Sequence, residues 1–279
     1  MVSPAFIMPK PNFLYGTAWK EERTRDLTLM ALRAGCRAID TANQRKHYVE
    51  AAVGEAVAEA VSTGLLRRAD LFLQTKFTFV QGQDHRLPYD PSQPFWVQVL
   101  QSFATSQEHL GTDVIDSYIL HGPCSSYGLT EADHDVWRAM ESLHNDHKVR
   151  YLGVSNVSLS QLKQLNEFAV VKPTFVQNRC YSSTRWDKGV RDFCVENSLI
   201  YQGFSLLTAN IQDLSKQKMR DLAKRKDCTI AQLVFRFAQL VGMLPLTGTT
   251  DLAHLTSDLQ CEAIDLSAED CALIESIHF

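Results

Sequence analysis

Apolar positions along the chain follow two alternating rhythms. Short, nearly continuous hydrophobic runs are followed by longer stretches in which apolar residues recur at helical spacing. The runs at 12–19 (NFLYGTAW), 37–40 (RAID), 70–77 (DLFLQTKF), 114–122, 149–156, 174–178, 199–205 and 243–248 read as strands. Helices are expected at 22–35, about 48–63, 94–111, 130–147, from Ser158 onward, and at 187–198, 215–226, 229–241, 251–259 and 267–277. Ser158 followed by Gln161 is a capping box that marks the start of one of them. Strands that are apolar throughout, rather than alternating, suit parallel pairing with both faces buried. Eight strand–helix units in 279 residues predict an α/β chain folded as a (β/α)8 (TIM) barrel, a single domain over residues 1–279. The rival is a doubly wound open sheet, which would carry a glycine-rich phosphate loop after its first strand. That position reads GTAWKEE, without the glycines.

In such a barrel the chemistry sits at the carboxyl ends of the strands. The first strand ends near Thr17 and Trp19, the second at Asp40, the third at Lys76 and the fourth at His121. The fifth ends at Ser155 and Asn156, the sixth at Gln177, the seventh at Phe204 and Ser205, and the eighth at Thr247, Gly248 and Thr249. Each alone has a plain structural reading: Asp40 as a helix-side cap, Lys76 reaching solvent, His121 as a packing residue. Their convergence carries more, because strands two, three and four are neighbours and bring an acid, a lysine and a histidine to one stretch of rim. A lysine with a carboxylate partner keeps its charge despite burial, and a charged lysine lowers the pKa of a nearby phenol. The loop DTANQRKHY that follows the second strand offers such a phenol, Tyr48.

Composition narrows the classes. The net charge is −4 and the isoelectric point about 6.1, which disfavours nucleic acid and anionic membranes as partners. No stretch approaches the ~20 apolar residues of a membrane span, and the N-terminus MVSPAFIMPKPNF lacks the form of a signal peptide. Seven scattered cysteines without a CxxC pair fit reduced thiols in a cytoplasmic protein, with no metal site. Without heptads or an apolar stripe the chain reads as a monomer acting on a small molecule.

The segments YGTAW, AIDTA with AAVGEA, LQTKF, YILHGP, YLGVSN, FVQN, GFSLL and LTGTTDLAHLTSDL, in this order, resemble those of the aldo-keto reductase superfamily over essentially the whole chain. The resemblance implies NAD(P)H-dependent reduction of an aldehyde or ketone by a tetrad falling on Asp40, Tyr48, Lys76 and His121. Tyr48 would donate the proton, Lys76 held by Asp40 would tune it, and His121 would orient the carbonyl. It places Thr17 and Asp40 near the nicotinamide ribose, Ser155, Asn156 and Gln177 on the carboxamide, and Phe204 under the nicotinamide ring. Ser205 and Leu207 would line the pyrophosphate path, with Gly248, Thr249, Thr250, His254 and Asp258 around the adenosine. Trp19, His47 and His121 would face the substrate.

The sequence departs from the family pattern in three places. The family spacing from the aspartate would land on Arg45, and counting back from Val53-Gly54 lands on His47, so His47 stays open as the proton donor beside Tyr48. The tyrosine could instead merely pack the first turn of its helix. The cations that read the cofactor's 2′-phosphate are replaced by Gly248 and His254, leaving NADPH as the expected cofactor and NADH as its competitor. Backbone N–H groups at Thr249-Thr250-Asp251 are a candidate phosphate cradle. The chain ends at Phe279 where many relatives continue, an expectation of an open pocket walled by the segments after Lys76 and after His121. Two other classes remain open: a Schiff-base lyase using Lys76, and a non-catalytic nicotinamide-binding regulatory subunit.

Overall fold

The structure, a computed structural model, describes residues 11–279; the reading of the extreme N-terminus as lacking a leader falls largely outside the described residues. Eight parallel strands close in chain order into a barrel. They are β1 (Leu14–Gly16), β2 (Ala38–Asp40), β3 (Phe72–Phe77), β4 (Ile115–Leu120), β5 (Val149–Ser155), β6 (Phe175–Arg179), β7 (Ile200–Phe204) and β8 (Met243–Thr247). The helices between them are α1 (Thr24–Arg33), α2 (Glu50–Ser62), α3 (Phe95–Leu110), α4 (Glu131–Asn145), α5 (Leu159–Phe168) and α6 (Lys188–Glu196). After β7 come α7 (Ile211–Leu214), α8 (Gln217–Arg225) and α9 (Ile230–Leu240), and after β8 come α10 (Leu252–Leu259) and α11 (Ala268–Glu275). The expected (β/α)8 architecture is therefore the observed one. No described helix is long and apolar enough to cross a membrane.

The strands are shorter than the hydrophobic runs that announce them. The run at 12–19 contributes only Leu14–Gly16, because ladder partners exist only for those rows: Tyr15 beside Ile39, Gly16 beside Asp40, and Leu14 beside Leu246. Beyond them the chain leaves the sheet to form the rim. The helix expected from about 48 begins at Glu50, so Tyr48 belongs to the loop and not to the helix's first turn. The short helix α7 was not foreseen. The Ser158–Gln161 capping box forms as read, with the serine oxygen accepting from the Gln161 N–H.

Two cores flank the sheet. Outside, Tyr15, Ile39, Leu73, Val154 and Tyr201 meet helix residues such as Val53, Phe103, Trp137, Leu162 and Phe237. Inside, side chains two apart on a strand share a face and stack in layers. The lowest layer is an apolar plug of Leu14, Ala38, Phe72, Ile119, Tyr151, Phe175 and Leu244, with Ile200 and Leu246 against it. One step up on four of these strands stand Asp40, Gln74, Gln177 and Gln202, all buried. One step higher on three of them Lys76, Arg179 and Phe204 follow. The plug closes the barrel's lower end, and the polar layer is the floor of what lies above.

Gly54 shows how tightly the outer shell is built. A Cβ there would lie 1.9 Å from the His109 carbonyl oxygen of α3. Gly54→Ala is expected to destabilise the protein by about 3 kcal/mol, since backbone rather than a flexible side chain must give way. Urea-melting midpoints of the two proteins test this.

Candidate active site

The loop between β2 and α2 is bolted to its surroundings rather than solvated. Thr41 N–H and Asn43 N–H donate to the carbonyls of Gln74 and Lys76. The Asn43 amide reaches Ser102 O at 2.9 Å and the Gln44 amide reaches Gly82 O at 2.6 Å. Gln83 returns a bond to Asn43 O at 2.9 Å, tying this loop to the long segment after β3. His47 N–H and Tyr48 N–H both donate to Gln44 O, which forms the turn that delivers the phenol. Of the possible cations in the loop, Lys46 is exposed and Arg45 pairs with Glu21 at 3.1 Å, so neither turns inward.

Lys76 is fully buried. Its Nζ donates to both Asp40 oxygens, at 2.7 and 2.8 Å, and to Thr41 O at 2.7 Å. Three N–H bonds thus meet three acceptors. The Tyr48 ring lies over the ammonium, with Nζ 5.2 Å from its centroid. The same ring meets His121 edge-on at 6.0 Å. His121 shares a 2.7 Å hydrogen bond through Nδ1 with the Thr78 hydroxyl, which leaves Nε2 to act. The four residues of the expected tetrad are thus brought together, while His47 is not part of the group. Its ring N–H donates to Gln44 Oε1 at 2.9 Å, and the ring lies against Trp19 with centroids 3.9 Å apart. Trp19 is 71% exposed and sits with His47 on the cleft wall.

Electrostatics depart from expectation at the phenol. Lys76 was expected to lower the Tyr48 pKa; instead burial raises it, and the Asp40 carboxylate raises it further. In the free protein the bidentate carboxylate offsets the ammonium's pull, and burial penalises a phenolate whatever its neighbours. Burial likewise lowers the Lys76 pKa against the opposing pulls of Asp40 and Glu50. His121 is pushed well below the ordinary imidazole value by burial, then by Lys76 and His47. At neutral pH the site therefore holds a protonated phenol and an uncharged imidazole.

A cleft of about 1150 Å³ opens above this group and runs across the barrel mouth to α10. Ser155, Asn156, Gln177, Phe204, Ser205, Leu207, Gly248, Thr249, Thr250, His254 and Asp258 all line it. Asn156 and Ser205 both have left-handed backbones, φ 51 and 55, and the Asn156 amide braces His121 O at 2.8 Å. The walls also include Thr78, Phe79, Gln81 and Gly82 after β3, and Gly122, Pro123 and Cys124 after β4, the two segments expected to serve as walls.

Three placements differ from expectation. Thr17 does not line the cleft; its hydroxyl and N–H both bond Asp40 O, at 2.9 and 3.0 Å, and hold the strand ends together. The Gln177 amide is turned down to Asp40 Oδ1 at 3.0 Å and Gln202 Oε1 at 2.9 Å. The expected phosphate cradle is taken up in part: Asp251 N–H is spent on the Thr249 hydroxyl, and the Asp251 carboxylate sits at the helix end, accepting from His254 N–H at 2.9 Å. Asp258 accepts from the Thr247 hydroxyl, and burial pushes its carboxyl up to about 6.

The sequence reading passed over four residues. Lys20 is buried beside the cleft, donating to Gly248 O at 2.8 Å, and burial lowers its pKa to about 8 with Arg23 adding to the shift. Arg179 lines the cleft in register with Phe204. Gln74 and Gln202 complete the floor. For Gln74 and Gln202 the available signal was a polar residue set inside an apolar strand, two positions from Lys76 and Phe204.

The sequence profile of the Aldo/keto reductase family matches residues 14–278. The chain belongs to this family. A relative in Zea mays, deoxymugineic acid synthase 1, is 28% identical over 96% of this chain and 87% of its own. The NAD(P)H-dependent 6'-deoxychalcone synthase of Glycine max is 26% identical over 91% of this chain and 81% of its own. Among solved structures, an aldo-keto reductase from a Medee basin deep-sea metagenome library superposes with a TM-score of 0.83 at 25% identity, covering 99% of this chain and 94% of that one. The match to a solved aldo-keto reductase agrees with the eight-stranded barrel of the described residues.

Proposed function

We propose that this aldo/keto reductase reduces the carbonyl of an aldehyde or ketone with NADPH, Tyr48 serving as the proton donor. The observation that carries the reading is the buried Asp40–Lys76 pair lying beneath the ring of Tyr48, with His121 on the same ring. The NAD(P)H dependence named for the Glycine max relative supports a nicotinamide donor.

The cleft residues fit a dinucleotide. Phe204, at the end of β7, offers a partly exposed aromatic face for a planar ring. At the other end Lys20, Thr249, Thr250 and His254 surround a place for phosphate. Arg179 adds a second cation to a cleft whose acids are engaged, Asp40 with Lys76 and Asp258 with Thr247. Bound NADPH supplies the hydride to the carbonyl carbon. His121 Nε2 orients the carbonyl oxygen, and Tyr48 gives its proton to that oxygen as negative charge develops there. The phenol keeps its proton at neutral pH and so stands in the form a donor needs. Lys76 then stabilises the phenolate left behind, a preorganised charge in a water-poor site. A Schiff-base role for Lys76 is disfavoured, because every Nζ–H is already committed and the side chain has no exposure.

Lys20 is the cation available to NADPH where the strand-eight lysine is missing. NADH competes because the acid Asp251 caps α10's first turn, where its charge opposes a 2′-phosphate. Fluorescence titration with NADPH and NADH, followed by turnover of a carbonyl panel with the better one, tests the reading; no binding of either would end it. Lys20 also predicts a pH effect. Below its pKa of about 8 the ammonium is charged; above it the charge is lost unless phosphate holds the proton on. The Kd for NADPH is expected to rise between pH 7 and 9, and Lys20→Met is expected to flatten that rise while weakening binding at pH 7.

A further inference from the structure

The polar floor beneath Lys76 is joined into one network. Gln74 and Gln202 exchange two amide hydrogen bonds across the barrel interior: Gln74 Nε2 to Gln202 Oε1 at 2.8 Å, and Gln202 Nε2 to Gln74 Oε1 at 2.9 Å. The second N–H of Gln74 reaches Asp40 Oδ1 at 2.7 Å. Gln177 Nε2 spans Asp40 Oδ1 and Gln202 Oε1. Both Gln74 and Gln202 are fully buried. The strand register explains how they meet. Asp40 pairs with Gln74 between β2 and β3, and Gln177 pairs with Gln202 between β6 and β7, so two polar rows from opposite sides of the barrel close on each other. Below them, among the described residues, lies the apolar plug.

Two features set this network apart from a chance polar layer. First, Asp40 is met only by donors: Lys76, Gln74 and Gln177. These donors fix the place and direction of the carboxylate oxygens that receive two of the three Lys76 N–H groups. Second, the amide directions are mutually fixed. Gln202 Oε1 accepts from both Gln74 and Gln177, while Gln202 Nε2 occupies Gln74 Oε1, so turning any one amide over sets donor against donor or oxygen against oxygen. The orientation of Gln74 that serves Asp40 is thus set by Gln202, on the far wall of the barrel. Uncompensated amides would be costly at this depth; a closed set is tolerated and rigid.

We infer that Gln74 and Gln202 are positioning residues, which act on the reaction through Asp40 and Lys76 by holding the carboxylate as an acceptor directly under the ammonium that faces Tyr48. Neither touches substrate or cofactor. The inference rests on the proposed reductase reading for its kinetic readout. The ionisable groups facing the Lys76–Tyr48 pair are Asp40 from β2, Glu50 from α2 and His121 from the end of β4, with His47 beyond His121. None of these is altered by changing the two glutamines.

The test uses Gln74→Met, Gln202→Met and the double variant in the full chain, with stability and pH–rate profiles measured for each. A single change strands part of the partner's buried amide; the double change removes the exchanged pair, leaves the Gln177 bond to Gln202 and the Gln74 bond to Asp40 unmade, and fills the space with side chains of similar length. Stability is therefore expected to fall in each single variant and to recover in large part in the double. The rate profile is expected not to recover. With fewer donors on Asp40 its charge is less compensated, and that charge already raises the Tyr48 pKa, so the phenol keeps its proton to higher pH. For alcohol oxidation, where Tyr48 must accept a proton, the limb of kcat/KM is expected to move to higher pH by about one unit in the double variant. Carbonyl reduction at pH 7 is expected to slow by about tenfold over the same shift. A purely structural pair would restore both stability and profile in the double variant, and that result overturns the inference. So would an unchanged profile in all three proteins. If the unaltered protein turns over no carbonyl or alcohol with either nicotinamide, the reductase reading fails instead, and the recovery of stability in the double variant still reports whether the two amides act as a unit.

Discussion

Tyr48→Phe is expected to lower kcat for carbonyl reduction by about 10²–10⁴-fold, the range typical of a lost general acid. The Kd for NADPH should be essentially unchanged. The substitution removes the hydroxyl and keeps the ring, so the edge contact with His121 and the face over Lys76 survive. A loss confined to kcat therefore reports the proton and not the packing. Steady-state kinetics with the best carbonyl of the panel, together with cofactor titration, make the measurement. The informative contrary result comes from His47. If Tyr48→Phe retains its rate and His47→Phe loses it, the proton comes from the ring beside Trp19 and the tetrad assignment fails. The structure leaves His47 badly placed for that role: its ring N–H is committed to Gln44, and burial and Lys46 lower its pKa.

Lys76→Met is expected to be both inactive and unstable. Removing the ammonium leaves Asp40 as a buried carboxylate whose principal partner is gone, at a cost of about 3–5 kcal/mol. A lone buried carboxylate takes up a proton more readily, so the loss should shrink as the pH falls, the reverse of ordinary acid denaturation. The double variant Asp40→Asn/Lys76→Met removes the stranded charge and should recover part of the stability without recovering turnover. Urea midpoints at two pH values separate these effects. Recovery of activity in the double variant would mean that the charge pair is structural and that Tyr48 needs no cation beneath it.

Much of the fold was legible because its signals are local. Near-continuous apolar strands alternating with helical periodicity gave the eight-unit barrel, and the Ser158–Gln161 pair gave a helix start that formed as read. Polar residues at the ends of apolar strands pointed to Asp40, Lys76 and His121, and the closed strand order brings them to one rim. One error falls where a local signal competes with something distant. The run at 12–19 overstated β1 because ladder length depends on where neighbouring strands lie, not on hydrophobicity. At α10 the competing signal is itself local, since Asp251 caps the helix by accepting from His254 N–H three residues on.

The sequence by itself determined the architecture and the chemical types available at the rim, because strand periodicity and residue order survive without knowledge of contacts. Only the tertiary structure decided which loop residue meets the lysine. The altered spacing after Asp40 makes counting ambiguous between His47 and Tyr48, and the turn over Gln44 resolves it by sending one ring to Trp19 and the other to Lys76. It also decided the sign of the Tyr48 shift, because burial and the closeness of a compensating carboxylate are properties of the packed site. The pairing of Gln74 with Gln202 was beyond the sequence for the same reason: residues on opposite walls of a barrel become neighbours only when the sheet closes.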